Sequence, residues 1–172
     1  MQKQVCVIGV DPGVCTGWAV LKCEMNSGGY SFVESGETVT RSPRAVEELL
    51  LKLFSICEKE LSLRPGEREY EGRIRFCIED FRLHGGGAGN THWDGLSPVW
   101  VRSWIEMCLW MWEWEGCTVG VRGWKGVFYQ MPGDRNVVHK EEVAIARVKG
   151  GGGHAMEAMK HAVLGVRKGV HR

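Results

Sequence analysis

The sequence predicts a mixed α/β fold in which helices cover the faces of a sheet. Two observations lead to this prediction: short apolar runs of strand length, and longer segments in which apolar residues recur at helical spacing. The predicted order of elements is β-β-β-α-β-α-β-α, which makes a five-stranded mixed sheet. A chain of 172 residues can bury a sufficient core by itself, so we expect residues 1–172 to form a single domain.

Three predicted strands open the chain. Residues 5–10 are a continuous apolar run that ends at Asp-Pro-Gly, which is typical of a buried central strand followed by a turn. Residues 18–21 and 30–40 predict two further strands, and together the three form an antiparallel meander.

Helices and strands alternate in the rest of the chain. Ser42 and Pro43 predict the start of a helix that runs to about Leu63, because serine caps helices and proline suits the first turn. The remaining predicted elements are a buried strand over residues 74–78, a Trp-rich helix over residues 97–115, a strand over residues 118–121, an irregular or partly helical segment over residues 123–153 and a helix over residues 154–168.

Charge is distributed unevenly along the chain. The net charge is +1, but residues 1–121 carry 12 basic and 17 acidic side chains, whereas residues 122–172 carry 10 basic and 4 acidic ones. The last part of the chain also holds four of the six histidines. This asymmetry indicates a polyanionic partner without requiring one.

The cysteines and the apolar runs indicate the cellular setting. Seven scattered cysteines without a CxxC pair predict reduced, mostly buried thiols rather than disulfides or a zinc site. We expect neither a signal peptide nor a membrane span, and therefore a cytosolic protein.

Two acidic residues follow predicted central strands. Asp11 follows the first strand and Glu79 follows the fourth, and the carboxyl ends of strands are where α/β proteins form their crevices. If these strands are neighbours, the two carboxylates share a small space, where a divalent cation would relieve their repulsion. The ordinary structural alternatives are a turn role for Asp11 and an ion pair with arginine for Glu79 or Asp80.

The last predicted helix has a polar side. His154 and Glu157 are three residues apart and therefore lie on one side of the helix. The residues that share this side are Lys160, His161, Arg167 and Lys168. A solvated helix face explains the pattern equally well. Four glycines precede the helix and leave its first amides without an evident side-chain cap, which favours an anion such as phosphate there.

Five segments stand in order along the chain: residues 7–20, Val-Ile-Gly-Val-Asp-Pro-Gly-Val-Cys-Thr-Gly-Trp-Ala-Val; residues 77–81, Cys-Ile-Glu-Asp-Phe; and residues 96–99, 129–132 and 154–161. Together they resemble the motifs of RuvC-type Holliday junction resolvases, particularly their phage-encoded branch, within the ribonuclease H-like superfamily. Residues 7–20 resemble the first motif, residues 77–81 the second, and residues 154–161 the closing His-x-x-Asp-Ala motif. The chain departs from that motif at Glu157, which is one methylene longer than the usual aspartate.

The resemblance implies a ribonuclease H-like sheet with helices on both faces and a metal-binding catalytic constellation of Asp11, Glu79, His154 and Glu157. Two Mg²⁺ or Mn²⁺ ions per site would promote hydrolysis of a phosphodiester. The implied enzyme is a homodimer that nicks a four-way DNA junction symmetrically and leaves 5′-phosphate and 3′-hydroxyl ends.

Further contacts follow from this interpretation. Lys160, His161, Arg167 and Lys168 are the candidate DNA-binding residues, together with Trp93, which would stack on an exposed base. The glycine loop at residues 85–89 lies near Glu79 in the sequence and is either a DNA contact or a plain connector. The helix over residues 97–115 is the candidate dimer interface, and its alternative is burial in its own core.

Three other functions fit the same residues. A related nuclease would act on flaps, forks or RNA, and a junction-binding protein would use the same basic surface without cutting. A small ATP-binding module of the actin-like kind would explain Asp11-Pro-Gly but usually needs two such domains.

Overall fold

The computed structural model describes residues 4–27, 29–63, 73–80, 93–114, 127–130, 138 and 152–170. Its elements are β1 (Gln4–Asp11), β2 (Cys15–Glu24), β3 (Tyr30–Val39), α1 (Pro43–Leu61), β4 (Ile74–Glu79), α2 (Trp93–Trp114), β5 (Val127–Gln130) and α3 (Gly153–Arg167). Among the described residues, no helix combines the length and apolarity that crossing a bilayer requires.

The strands pair in one mixed sheet in the order β3-β2-β1-β4-β5. β1 and β2, and β2 and β3, are antiparallel, whereas β4 is parallel to both β1 and β5. The predicted meander and the mixed α/β class are therefore confirmed. The central strands β1 and β4 lie side by side and end at the same edge of the sheet.

The helices pack on opposite faces because side chains alternate along the central strand β1. Cys6, Ile8 and Val10 belong to the apolar cluster formed with α1 and α2. Val5 and Val7 belong to the cluster formed with α3. The prediction of helices on both faces is thus confirmed, and the buried strands explain why their sequences are continuously apolar.

The start of α1 follows the sequence prediction. The Ser42 hydroxyl accepts a hydrogen bond of 3.2 Å from the Ala45 amide, and Pro43 occupies the first helical position. The helix ends at Ser62, which adopts the left-handed conformation with φ of 50° and donates its amide to the helix carbonyls of Glu58 and Lys59.

Two element predictions were wrong in position. α2 begins at Trp93, four residues before the expected start, and Pro98 lies inside it. A proline inside a helix removes one backbone hydrogen bond because it has no amide hydrogen. β5 occupies residues 127–130 within the segment expected to be irregular, and the predicted strand at residues 118–121 lies outside the described residues.

The six described cysteines are free thiols, and five of them are buried, as the sequence predicts. The seventh, Cys117, lies outside the described residues.

Glycines bring α3 into backbone contact with the sheet. A Cβ at Gly9 would lie 1.9 Å from the Ala158 carbonyl oxygen, and one at Gly17 would lie 2.0 Å from the His154 carbonyl oxygen. Real side chains do not approach this closely, so only glycine permits the observed position of α3 on β1 and β2. These two contacts place the first turn of α3 next to the end of β1.

We expect Gly9→Ala to lower the free energy of unfolding by about 1–3 kcal/mol, because the added methyl forces α3 away from β1. Gly13→Ala is the matched control, since its Cβ would meet its nearest neighbour at an ordinary 3.5 Å. Urea unfolding of both variants measures the difference. Equal stability of the two variants would show that α3 tolerates a wider separation from the sheet.

Candidate metal and nucleic-acid site

Four of the predicted site residues line one cavity of about 730 Å³ at the carboxyl ends of the central strands. They are Asp11 from β1, Glu79 from β4, and His154 and Glu157 from the first turn of α3. The cavity exists because β1 and β4 end side by side and α3 begins above that edge. The fold thus brings together residues that lie up to 146 positions apart in the sequence.

The turn after β1 does not depend on the Asp11 side chain. The Thr16 hydroxyl accepts the Gly13 amide at 3.3 Å, the Thr40 hydroxyl donates to the Gly13 carbonyl at 2.6 Å, and the two hydroxyls lie 2.6 Å apart. The threonines therefore hold this turn, and the Asp11 carboxylate lines the cavity.

The two acids at the end of β4 have different environments. Asp80 forms an ion pair with Arg102 of α2, which is the structural role that the sequence left open for one of them. Glu79 is buried and lines the cavity. Of these two acids, Glu79 is the one that lines the same cavity as Asp11.

Asp11 is held between an imidazole and a second carboxylate. Its Oδ2 lies 2.9 Å from Nδ1 of His154, and the Glu79 carboxylate is also its neighbour. Burial raises the pKa of Asp11 from 3.8 to about 6; the His154 hydrogen bond opposes this rise, and Glu79 adds to it. The cavity therefore places negative charge where it is poorly solvated, and a cation would stabilise it.

His161 shares the side of α3 that His154 occupies, but it is buried there and not exposed as a DNA contact would be. The imidazole is fully buried, and its Nε2 lies 3.1 Å from Oε2 of Glu79. Two helical turns separate His161 from His154, which brings both imidazoles to the same face of α3. The sequence pattern missed this because histidine was counted with the solvated side chains.

The other predicted DNA-binding residues occupy different places along α3. Lys160 donates to the Glu157 carboxylate at 2.8 Å and is mostly buried. Arg167 and Lys168 are exposed at the far end of the helix, about 20 Å from His154 at the helical rise per residue. The side chain of Trp93 and the loop at residues 85–89 lie outside what the structure describes.

Glu37 is a site residue that the sequence did not reveal. Its Oε1 accepts the amide of His154 at 2.9 Å and that of Ala155 at 3.3 Å. The expectation that these first amides of α3 attract an anion such as phosphate was therefore wrong for an external anion, because a protein carboxylate already binds them. A cap donated by a separate strand leaves no local sequence signal.

Arg41 also lines the cavity. It is exposed, it precedes the cap of α1, and it is the one lysine or arginine in the described lining. No sequence pattern predicted that Arg41 would line the same cavity as three carboxylates, because this depends on how the chain before α1 packs against the turn after β1.

The donor set fits a hard divalent cation in its chemistry, since it comprises three carboxylates and one imidazole. In this structure each carboxylate is engaged by a neighbour: Asp11 by His154, Glu79 by His161 and Glu157 by Lys160. Across the described part of the chain, no three such side chains are arranged as a metal-binding group. Metal binding therefore requires these side chains to move closer together, and each carboxylate keeps lone pairs that its present partner does not use.

One solved structure places the fold among known ones. The chain is similar to T. thermophilus RuvC in complex with a Holliday junction substrate, with a TM-score of 0.53 and 15% sequence identity over 93% of this chain and 92% of that one. No protein-family model and no curated protein matches the sequence. The comparison shows a RuvC-like, ribonuclease H-like fold, as the motif resemblance implies.

We expect Asp11→Asn to raise the free energy of unfolding by about 1–3 kcal/mol at pH 8 in the presence of chelator. The folded-state pKa of Asp11, about 6, lies above the ordinary 3.8, so burying its charged form costs stability above pH 6. This cost disappears below about pH 3.8, where both states are protonated, so the gain should shrink at pH 4.

Chemical denaturation at the two pH values measures this effect. Glu34→Gln is the control, because that carboxylate is half exposed in its ion pair with Lys52 and lies on β3 away from the cavity. A loss of stability at pH 8 in Asp11→Asn would contradict the electrostatic account of the cavity.

Proposed function

We propose that this protein is a divalent-metal-dependent endonuclease that resolves four-way DNA junctions by symmetric nicking, leaving 5′-phosphate and 3′-hydroxyl ends. The observation that carries the proposal is the convergence of Asp11, Glu79, His154 and Glu157 on one cavity in a RuvC-like fold. The similar RuvC structure contains a Holliday junction, which supports branched DNA as the substrate class.

The electrostatics of the cavity support a role for metal ions. Glu79 is buried and Asp11 is partly buried, and the two carboxylates repel each other when both are ionised; such a pair is stabilised by bound Mg²⁺ or Mn²⁺. In this proposal Asp11, Glu79, His154 and Glu157 hold two ions. When bound, the ions activate water and stabilise the leaving oxygen of the phosphodiester.

The chain itself supplies contacts to the substrate phosphates. The Arg41 guanidinium lies in the cavity lining, where it can form paired hydrogen bonds to a phosphate and reduce the repulsion by the carboxylates. Lys160 becomes available to phosphate when Glu157 turns to a metal ion, and Arg167 and Lys168 extend a basic surface along α3. Such contacts position DNA without reading its sequence.

We also propose a homodimer that uses α2, so that two sites address the two strands of a symmetric junction. One side of α2 is buried in the protomer core, at Val101, Ile105 and Leu109. Met107, Trp110 and Met111 are large apolar side chains that are 42–50% exposed on the same helix. Exposed apolar surface of this kind supports an interface between copies.

The resemblance to the phage-encoded branch remains a prediction from the motifs.

We expect Asp11→Asn and Glu79→Gln to reduce junction cleavage at least about 100-fold while junction affinity changes less than about threefold, because both carboxylates act in the reaction. Asp80→Asn is the matched control: it neutralises the acid beside Glu79, but that acid pairs with Arg102 and should leave cleavage intact. The measurement is single-turnover cleavage of a labelled synthetic four-way junction in Mg²⁺ and in Mn²⁺.

The same assay separates the alternatives. Forks, flaps and linear duplex tested beside the junction show whether another branched substrate is preferred. Binding without cleavage in either metal, with cutting restored by Glu157→Asp, would indicate a junction-binding protein. Full wild-type activity in chelator would exclude the metal mechanism.

We expect Trp110→Glu to weaken self-association at least tenfold, because a charge would be buried at the proposed interface. Leu51→Glu is the control, since Leu51 is a similarly exposed apolar residue on α1. Sedimentation velocity over a range of protein concentrations measures the change. A wild-type protein that remains monomeric at high concentration would contradict the dimer.

A further inference from the structure

We propose that Glu37 is a positioning residue for the proposed cleavage reaction: its carboxylate fixes the first turn of α3 and thereby sets His154 against Asp11. The inference rests on the proposed function for its kinetic consequence, but its structural basis is independent of it. Glu37 lies on β3, outside every motif that supports the resemblance.

The first turn of α3 has no cap of its own. Gly152 is the N-cap residue, and it provides no side-chain hydrogen bond to the helix. The first amides of any α-helix lack partners within the helix and need acceptors from elsewhere. The Glu37 carboxylate supplies one oxygen to two of them, at His154 and Ala155.

The surroundings of Glu37 are shaped to receive the helix. Gly17 is paired with Glu37 in the β2–β3 register, and its missing side chain leaves room for the His154 carbonyl oxygen. A Cβ at Gly152 would lie 2.3 Å from Oε1 of Glu37, so a side chain there would displace the carboxylate from its present position.

The hydrogen bond with Glu37 also fixes the orientation of His154. Glu37 binds the backbone of His154, while the His154 side chain meets Asp11 at 2.9 Å. One residue is therefore fixed at its amide by β3 and at its imidazole by β1. If the amide contact is lost, the first turn frays and the imidazole is no longer held beside Asp11. The carboxylate charge further favours this arrangement because it faces the positive end of the helix dipole.

The test compares Glu37→Ala, Glu37→Gln and a control, Glu34→Ala. Glutamine keeps an oxygen acceptor without the charge, and Glu34 is a carboxylate on the same strand that pairs with Lys52 instead of α3. All three changes are at exposed positions, so the variants should fold.

Two NMR measurements do not require cleavage. Exchange of the His154 and Ala155 amides with solvent should be about fivefold faster in Glu37→Ala, nearer to wild type in Glu37→Gln and unchanged in Glu34→Ala. The ¹⁵N shifts of the His154 imidazole, which report its hydrogen bond to Asp11, should change in Glu37→Ala and not in the control. Unchanged exchange or unchanged imidazole shifts in Glu37→Ala would overturn the inference.

Cleavage kinetics then shows whether Glu37 positions His154 for the reaction or only caps the first turn of α3. Glu37→Ala should lower the single-turnover cleavage rate about tenfold, with the half-saturating protein concentration within twofold of wild type, and Glu37→Gln should recover most of the rate. Fast amide exchange with an unchanged cleavage rate would reduce Glu37 to a helix cap and overturn its positioning role. If the wild type cleaves nothing, the proposed function fails, and the NMR results still decide whether Glu37 sets His154 against Asp11.

Discussion

The close approach of α3 to the sheet is the constraint on which the site depends. Gly9 and Gly17 remove the side chains that would keep the helix at an ordinary packing distance, so helix backbone contacts strand backbone. As a result, His154 stands directly over the end of β1 and meets Asp11. The glycines of the first motif therefore act in packing as well as in the turn that follows the strand.

This packing brings acids together at an energetic cost that the fold partly offsets. Asp11 and Glu79 end neighbouring parallel strands, and each meets an imidazole from α3, His154 in one case and His161 in the other. The pKa of Asp11 nevertheless remains raised, first because the carboxylate is partly buried and second because Glu79 lies nearby; the His154 hydrogen bond only lowers it in part. Sites that bind or react commonly retain such unfavourable charge because it is stabilised only when the ligand is present.

The sequence predicted the parts of the structure that have a local or periodic signal. Apolar runs located the central strands, Ser42 and Pro43 located the start of α1, and acids after strands identified two cavity residues. What it missed depends on contacts across the fold. Glu37 caps a helix 117 residues away, and the burial of His161 follows from its distant partner. No pattern within a single element reports such pairs.

The placement of both imidazoles on α3 has a mechanical consequence. His154 and His161 are two turns apart on a helix whose backbone rests on glycine, so they belong to one rigid body. A small slide of that body along its axis would alter the contacts of Asp11 and Glu79 simultaneously, and neither carboxylate could be adjusted alone. Changes at the two ends of the cavity are therefore coupled, and their energetic effects do not add as those of independent sites do.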